Sequence, residues 1–106
     1  MTIGRDKMVE AVTKIAGNDQ AKQIGAVYKF VLGGSDGTWT FDLNDPPSVT
    51  ETDGTAQCTV TLSGDDYASM LSGETNSQRL FFTGKLQIAG DVTLGMKLQK
   101  VIDLVK

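Results

Sequence analysis

Histidine is absent from this 106-residue chain, and cysteine occurs once. Without histidine, the commonest general base and metal ligand is missing. The single Cys58 excludes an intramolecular disulfide framework and a thiolate metal cluster, and it suits a reducing compartment. The net charge is only −3, with no basic run, so neither nucleic acid nor anionic lipid headgroups are indicated as the principal partner. No stretch approaches the ~20 apolar residues of a membrane span. The N-terminal "MTIGRDKMVEAVTKIAG" carries charges where a signal peptide needs its apolar run. The chain ends "DLVK" and not in a peroxisomal tripeptide of the S-K-L kind, so the cytosol is the expected location.

What the chain does have is apolar content, 40% of its residues, enough to fill one core. A chain of this length is expected to form one domain over residues 1–106. Met8, Val9, Val12, Ile15 and Ala16 recur at helical spacing, and Gly17-Asn18 reads as the stop. From Ile24 the period changes to two, with Ile24, Ala26, Tyr28, Phe30 and Leu32 on one strand face. "GGSDG" then reads as a turn into "TWTFDL", which places Trp39, Phe41 and Leu43 inward. "NDPPSVTETDGT" reads as a loop with a very short edge strand around Ser48 to Thr50. Cys58, Val60 and Leu62 alternate on the next strand. Ser63 or Asp65 is expected to cap a short helix ending at Gly73, and Asn76 a second through Phe82, ending at Gly84. "KLQIAG" is a fifth strand with Leu86 and Ile88 inward, after which Asp91 caps a final helix running to the C-terminus. That helix carries a stripe of Leu94, Leu98, Val101, Ile102 and Val105, with Val92 and Met96 outside it. The expected fold is α+β: a two-layer domain with a five-stranded, mostly antiparallel sheet, one face covered by helices and Thr-rich faces toward water.

Groups that resemble catalytic or metal sites do not survive inspection. Cys58 is in phase with Val60 and Leu62 and reads as a small core residue. Asp65-Asp66 at a helix start reads as a cap and dipole contact. "GGSDG" has no lysine and joins two strands, unlike a phosphate loop. Asp42, Asn44 and Asp45 lack the spaced ligands of a calcium loop. No enzyme activity, no metal and no cofactor is expected.

The informative residues are apolar. Leu80, Phe81 and Phe82 cover most of a helix of barely two turns, and Met70-Leu71 and Met96 occupy similar places. Periodicity leaves two readings open: these side chains fill a core, or they line a pliable lipid pocket.

The segment "CTVTLSGDDYASMLSGETNSQRLFFTGKLQIAGDVTLGMKLQKVI", Cys58 to Ile102, resembles the sterol carrier protein type 2 domain. The shared features are the Cys58-Thr59-x-Thr61 strand and the acidic helix start with Tyr67. They continue through Ser72-Gly73, Asn76-x-Gln78, Phe81-Phe82-x-Gly84-Lys85-Leu86 and Met96-Lys97-Leu98-Gln99. "YKFVLGGSDGTWTFDL" resembles the same family's first hairpin. The resemblance implies a tunnel between sheet and helices that holds a long-chain lipid: fatty acid, fatty acyl-CoA, phospholipid or sterol. Its walls would be Met70, Leu71, Phe81, Phe82, Leu86, Ile88, Met96 and Gln99. The covered sheet face would add Phe30, Trp39, Phe41 and Val60, and the last helix Ile102. Gln99 would be the one polar member, and Lys85, Lys97 and Lys100 would stand near the mouth for a carboxylate or phosphate. The expected function is non-enzymatic lipid binding and transfer by a stand-alone, prokaryotic-style monomer in transient contact with membranes. The alternative is an accessory domain that assists a lipid-metabolising enzyme without carrying ligand.

Overall fold

A computed structural model describes residues 5–33, 37–44 and 47–105. The tip of the expected "GGSDG" turn, Asp45-Pro46 and the Val9 side chain lie outside the described residues. The elements in order are α1 (Arg5–Ile15), α2 (Asp19–Ile24), β1 (Val27–Gly33), β2 (Gly37–Asp42), β3 (Ser48–Thr50) and β4 (Cys58–Thr61). They continue with α3 (Gly64–Ser72), α4 (Ser77–Phe82), β5 (Gln87–Gly90), α5 (Val92–Met96) and α6 (Leu98–Val105). The domain is α+β, as the alternation of periods two and 3.6 predicts.

The five strands form one sheet in the order β3-β2-β1-β4-β5. Every neighbouring pair is antiparallel except β1 and β4, which pair in parallel with Tyr28 opposite Cys58 and Phe30 opposite Val60. This pair requires a crossover, and residues 51–57 supply it. The crossover is pinned to the polar face of the sheet. Thr40 Oγ1 donates to the Thr52 carbonyl at 2.9 Å, Lys29 pairs with Asp53 at 2.8 Å, and Gln57 Oε1 accepts from the Val27 N–H at 2.9 Å. Part of the Thr-rich face expected to meet water is therefore covered by the chain itself.

On the other face the alternation is strict. Tyr28, Phe30, Leu32, Trp39, Phe41, Cys58, Val60 and Leu62 are all buried. Met8, Ala11 and Ile15 of α1, Tyr67 and Met70 of α3, and Leu98, Val101, Ile102 and Val105 of α6 join them in one core. The Phe30 ring packs edge-on against Phe41 at 4.7 Å and Tyr67 at 5.6 Å.

Two expectations need correction. The strand expected from Ile24 begins at Val27, because a second helix, α2, precedes it. Asn18 does not only end α1. Its side chain accepts from the N–H groups of Gln20 and Ala21 and so starts α2. Gly25, at φ 53°, then turns the chain left-handed and ends the helix. The final helix, expected to be continuous, is two helices. The Leu94 carbonyl, which a continuous helix would offer to the Leu98 N–H, instead accepts from the Tyr28 hydroxyl at 2.6 Å and the Lys97 N–H at 3.0 Å. The buried tyrosine thus takes an acceptor out of the ladder, and the chain re-enters helix one residue later.

Candidate functional site

Three short helices, α3, α4 and α5, are each started by the side chain just before them. Ser63 Oγ accepts from the Asp66 N–H at 3.1 Å to start α3. Asn76 Oδ1 accepts from Arg79 N–H at 2.8 Å to start α4. Asp91 Oδ1 accepts from Thr93 N–H at 2.9 Å and Leu94 N–H at 3.3 Å to start α5. Each cap contributes on the order of 1 kcal/mol. For helices of five or six residues, too short to be stable alone, that is a large share of what holds them.

Between α4 and α5 these helices leave a half-open cleft of about 490 Å³. Ser77, Gln78 and Phe81 form one wall, Val92, Gly95 and Met96 the other, with Ile88 of β5 and Gln99 of α6 between them. Ile88 pairs with Val60 across the sheet and packs against the main core, so it joins cleft to interior. Gly95 permits the close approach: a β-carbon there would stand 2.8 Å from Ile88 Cγ2. The lining is mostly apolar and carries no charged side chain.

Around the mouth stand the large apolar side chains that the fold leaves in solvent: Phe81 at 51% exposure, Phe82 at 76%, Val92 at 72% and Met96 at 82%. The Phe81 and Phe82 rings meet edge-on at 6.3 Å. A contiguous exposed apolar surface of this kind marks an interaction site more often than isolated exposed residues do.

The thirteen residues expected to line a tunnel therefore fall into groups. The cleft gathers Phe81, Ile88, Met96 and Gln99. Phe30, Trp39, Phe41, Val60, Met70, Leu86 and Ile102 are buried in the packed core. Leu71 packs against that core half-buried, and Phe82 stands outside the cleft beside Phe81. Gln99 uses its amide within the protein. Its Oε1 accepts from the Ser77 N–H at 2.8 Å and its Nε2 donates to Asp103 at 2.9 Å, which ties the start of α4 to α6. Lys85, Lys97 and Lys100 are not among the cleft-lining residues. Lys85 instead borders a shallower depression of about 330 Å³ beside the ends of β1 and β4.

The residues sequence reasoning did not assign to the site are Ser77, Gln78, Val92 and Gly95. Gly95 carried a signal, because glycine inside a helical pattern costs about 1 kcal/mol and points to close backbone approach. Cys58 is fully buried, and burial first and the Asp91 charge second raise its pKa, which disfavours the thiolate a nucleophile needs. Among the described residues no group of His, Cys, Asp and Glu could hold a metal, and no helix is long and apolar enough to cross a membrane.

Comparison with known proteins adds to this geometry. Residues 7–103 match the model of the SCP-2 sterol transfer family. Rat sterol carrier protein 2 is 37% identical over 101 residues, which cover 90% of this chain and 18% of that protein. The apo sterol carrier protein 2 of Yarrowia lipolytica superposes with a TM-score of 0.69 at 26% identity, covering 95% of this chain and 80% of that one. Sterol carrier protein 2 of Aedes aegypti, solved with palmitate, superposes over 100% of both chains with a TM-score of 0.75 at 22% identity, which speaks to the fold.

Proposed function

This chain belongs to the SCP-2 sterol transfer family, and we propose that it binds a long-chain lipid by its acyl part in the cleft between α4 and α5. The family's domain is generally a non-enzymatic lipid carrier, and the carrying observation here is the cleft itself. Its apolar walls end in four exposed apolar side chains, a surface that water disfavours and an acyl chain would cover. Each methylene buried contributes about 0.8 kcal/mol, so a fatty chain is held by length and not by a specific headgroup. The packed core residues beyond Ile88, among them Val60, Phe41 and Ile102, would form the inner wall if α4 and α5 part to admit the chain. In this reading Gln99 is a positioning residue that holds α4 against α6 and limits that parting.

A second reading rests on the same core. Phe30, Phe41, Val60 and Ile102 are so fully buried that no tunnel runs among them in this conformation. A domain that stayed so closed would serve a lipid-metabolising enzyme as an accessory surface. Native mass spectrometry of the purified protein separates the two. Co-purified fatty acid or phospholipid, or uptake of added palmitate, supports the carrier. Protein that is repeatedly lipid-free and ignores added acyl chains supports the accessory domain.

A further inference from the structure

Of the five residues of α5, Leu94 alone is buried, and Val92 and Met96 are 72% and 82% exposed. Side-chain packing therefore does little to hold this wall of the cleft against β4 and β5. Backbone attachments hold it instead. The Asp91 N–H donates to the Gln57 carbonyl at 2.9 Å, and the Leu94 carbonyl accepts from the Tyr28 hydroxyl at 2.6 Å. The first fixes the N-terminal end of α5 and the second its C-terminal end. Tyr28 is itself fixed, fully buried on the central strand β1 with its ring stacked on Phe30 at 6.3 Å.

The Leu94 carbonyl has an alternative donor a small backbone change away. Lys97, between α5 and α6, sits at φ −90° and ψ 0°, within about 40° of helical values in each angle. With Lys97 helical, the Leu98 N–H would meet the Leu94 carbonyl in an ordinary i→i−4 bond and the two helices would fuse. Release from Tyr28 then leaves no orphaned carbonyl, which would otherwise make it costly. Two arrangements that each satisfy the same group are what a two-state element requires.

We propose that Tyr28 is a latch on the cleft: its hydroxyl keeps α5 closed over Ile88, and an acyl chain is admitted when the Leu94 carbonyl passes to the Leu98 N–H and α5 and α6 become one helix. α6 is anchored by Leu98, Val101, Ile102 and Val105, all buried, so straightening moves α5 and not α6. Gly95 already lies against Ile88 with no room for a β-carbon, so the movement is outward. The freed hydroxyl then faces the opened cleft, where solvent reaches it. Tyr28 is thus a positioning residue that acts through Leu94, and its purpose rests on the lipid-carrier reading.

The test is Tyr28→Phe, which keeps the ring and removes the hydroxyl. A net hydrogen bond is worth about five-fold in an equilibrium, and apparent affinity follows the fraction of molecules that are open. The variant should therefore be less stable and yet bind a fluorescent fatty acid up to about five-fold more tightly. A merely structural loss does not raise affinity. Ile15→Val, in the buried face of α1, should lose comparable stability and keep wild-type binding. In the palmitate complex of the wild type, the backbone carbon shifts of Lys97 should become helical. In ligand-free protein, saturation-transfer NMR should find the same helical state as a minor population, about five-fold larger in Tyr28→Phe. Weaker or unchanged fatty-acid binding by Tyr28→Phe, or Lys97 shifts unmoved by bound palmitate, would overturn the latch and leave the carrier reading intact. A wild type that binds no fatty acid, while Tyr28→Phe still enriches the ligand-free helical state, defeats the carrier reading alone. Without that enrichment both fall.

Discussion

Tyr28 joins the interior to the functional end of the molecule. Its ring lies in the core, stacked toward Phe30, and its hydroxyl donates to the Leu94 carbonyl that divides α5 from α6. Burial raises the pKa of Tyr28, helped by the charges of Cys58 and Asp91, and burial raises that of Tyr67 as well. Cys58, opposite Tyr28 in the sheet, is raised in the same direction. All three are neutral when protonated, and the folded state holds their protons more tightly than the unfolded chain does. Their contribution is therefore complete below the unfolded pKa values, about 8.5 for cysteine and about 10 for tyrosine, and declines as the pH rises beyond them. With no histidine, no side chain of ordinary pKa titrates between about pH 6 and 8. The melting temperature should be flat across that window, begin to fall near pH 8.5 and fall more steeply near pH 10, by as much as ~1.4 kcal/mol per pH unit for each group. Tyr28→Phe should lower stability at neutral pH by about 1 kcal/mol through the lost hydrogen bond and should show a shallower alkaline slope. Denaturation of both proteins across pH decides it. An alkaline slope as steep in the variant as in the wild type would show that Tyr28 does not carry this dependence.

Among the elements, α5 and α6 divide the work that one helix was expected to do. The expected stripe is present, since Leu94, Leu98, Val101, Ile102 and Val105 are all buried. Val92 and Met96, set apart from it by spacing, face the cleft. Met96→Trp changes a side chain that is 82% exposed, so it should alter stability by no more than about 0.5 kcal/mol. Because it narrows the cleft mouth, it should weaken fluorescent fatty-acid binding. Leu98→Ala removes a fully buried side chain and should cost about 2–5 kcal/mol. Paired denaturation and binding measurements compare the two. A Met96→Trp protein as unstable as Leu98→Ala, or one that binds ligand as wild type does, would remove Met96 from the site. The same elements show where sequence reasoning stops. The strands, the edge strand at Ser48–Thr50 and the caps Asn76 and Asp91 follow from local alternation and local hydrogen bonding, and they were legible; for α3 the sequence left Ser63 and Asp65 open, and the cap is Ser63. The break at Lys97 follows from the Tyr28 hydroxyl, 66 residues from the Leu94 carbonyl it binds, and no local pattern carries that. The helix α2 was legible in principle, from Asn18 and Gly25, but the apolar alternation running into β1 from Ile24 concealed it. For the site, spacing marked Phe81, Phe82 and Met96 as apolar without assigning a burial. Only the tertiary arrangement separates them from Phe41 or Ile102, which have the same chemistry and lie in the core.

For the molecule as a whole, the arrangement places a rigid core beside a less constrained edge. The five-stranded sheet with α1, α3 and α6 accounts for most of the buried apolar residues, whereas α4 and α5 contribute one each, Leu80 and Leu94, and carry the exposed apolar ones. Local stability follows buried apolar contact, so the cleft walls belong to the part of the structure that opens at least cost. A ligand that binds there stabilises the native state by mass action, about 2.7 kcal/mol at a hundred times its dissociation constant. In a domain near 100 residues each kcal/mol shifts the melting temperature by roughly 4–8 °C, so saturation should raise it on the order of ten degrees or more. The cleft lining is mostly apolar and uncharged, so the shift should grow with chain length along a series of saturated fatty acids at fixed concentration. It should differ little between palmitate and palmitoyl-CoA, because the cleft lining carries no charged side chain to engage a headgroup. Differential scanning fluorimetry across fatty acids, oleoyl-CoA and a sterol measures both trends. A melting temperature unmoved by every one of them would remove the carrier function for those ligands. A shift that followed the headgroup and ignored chain length would move the binding site out of the cleft.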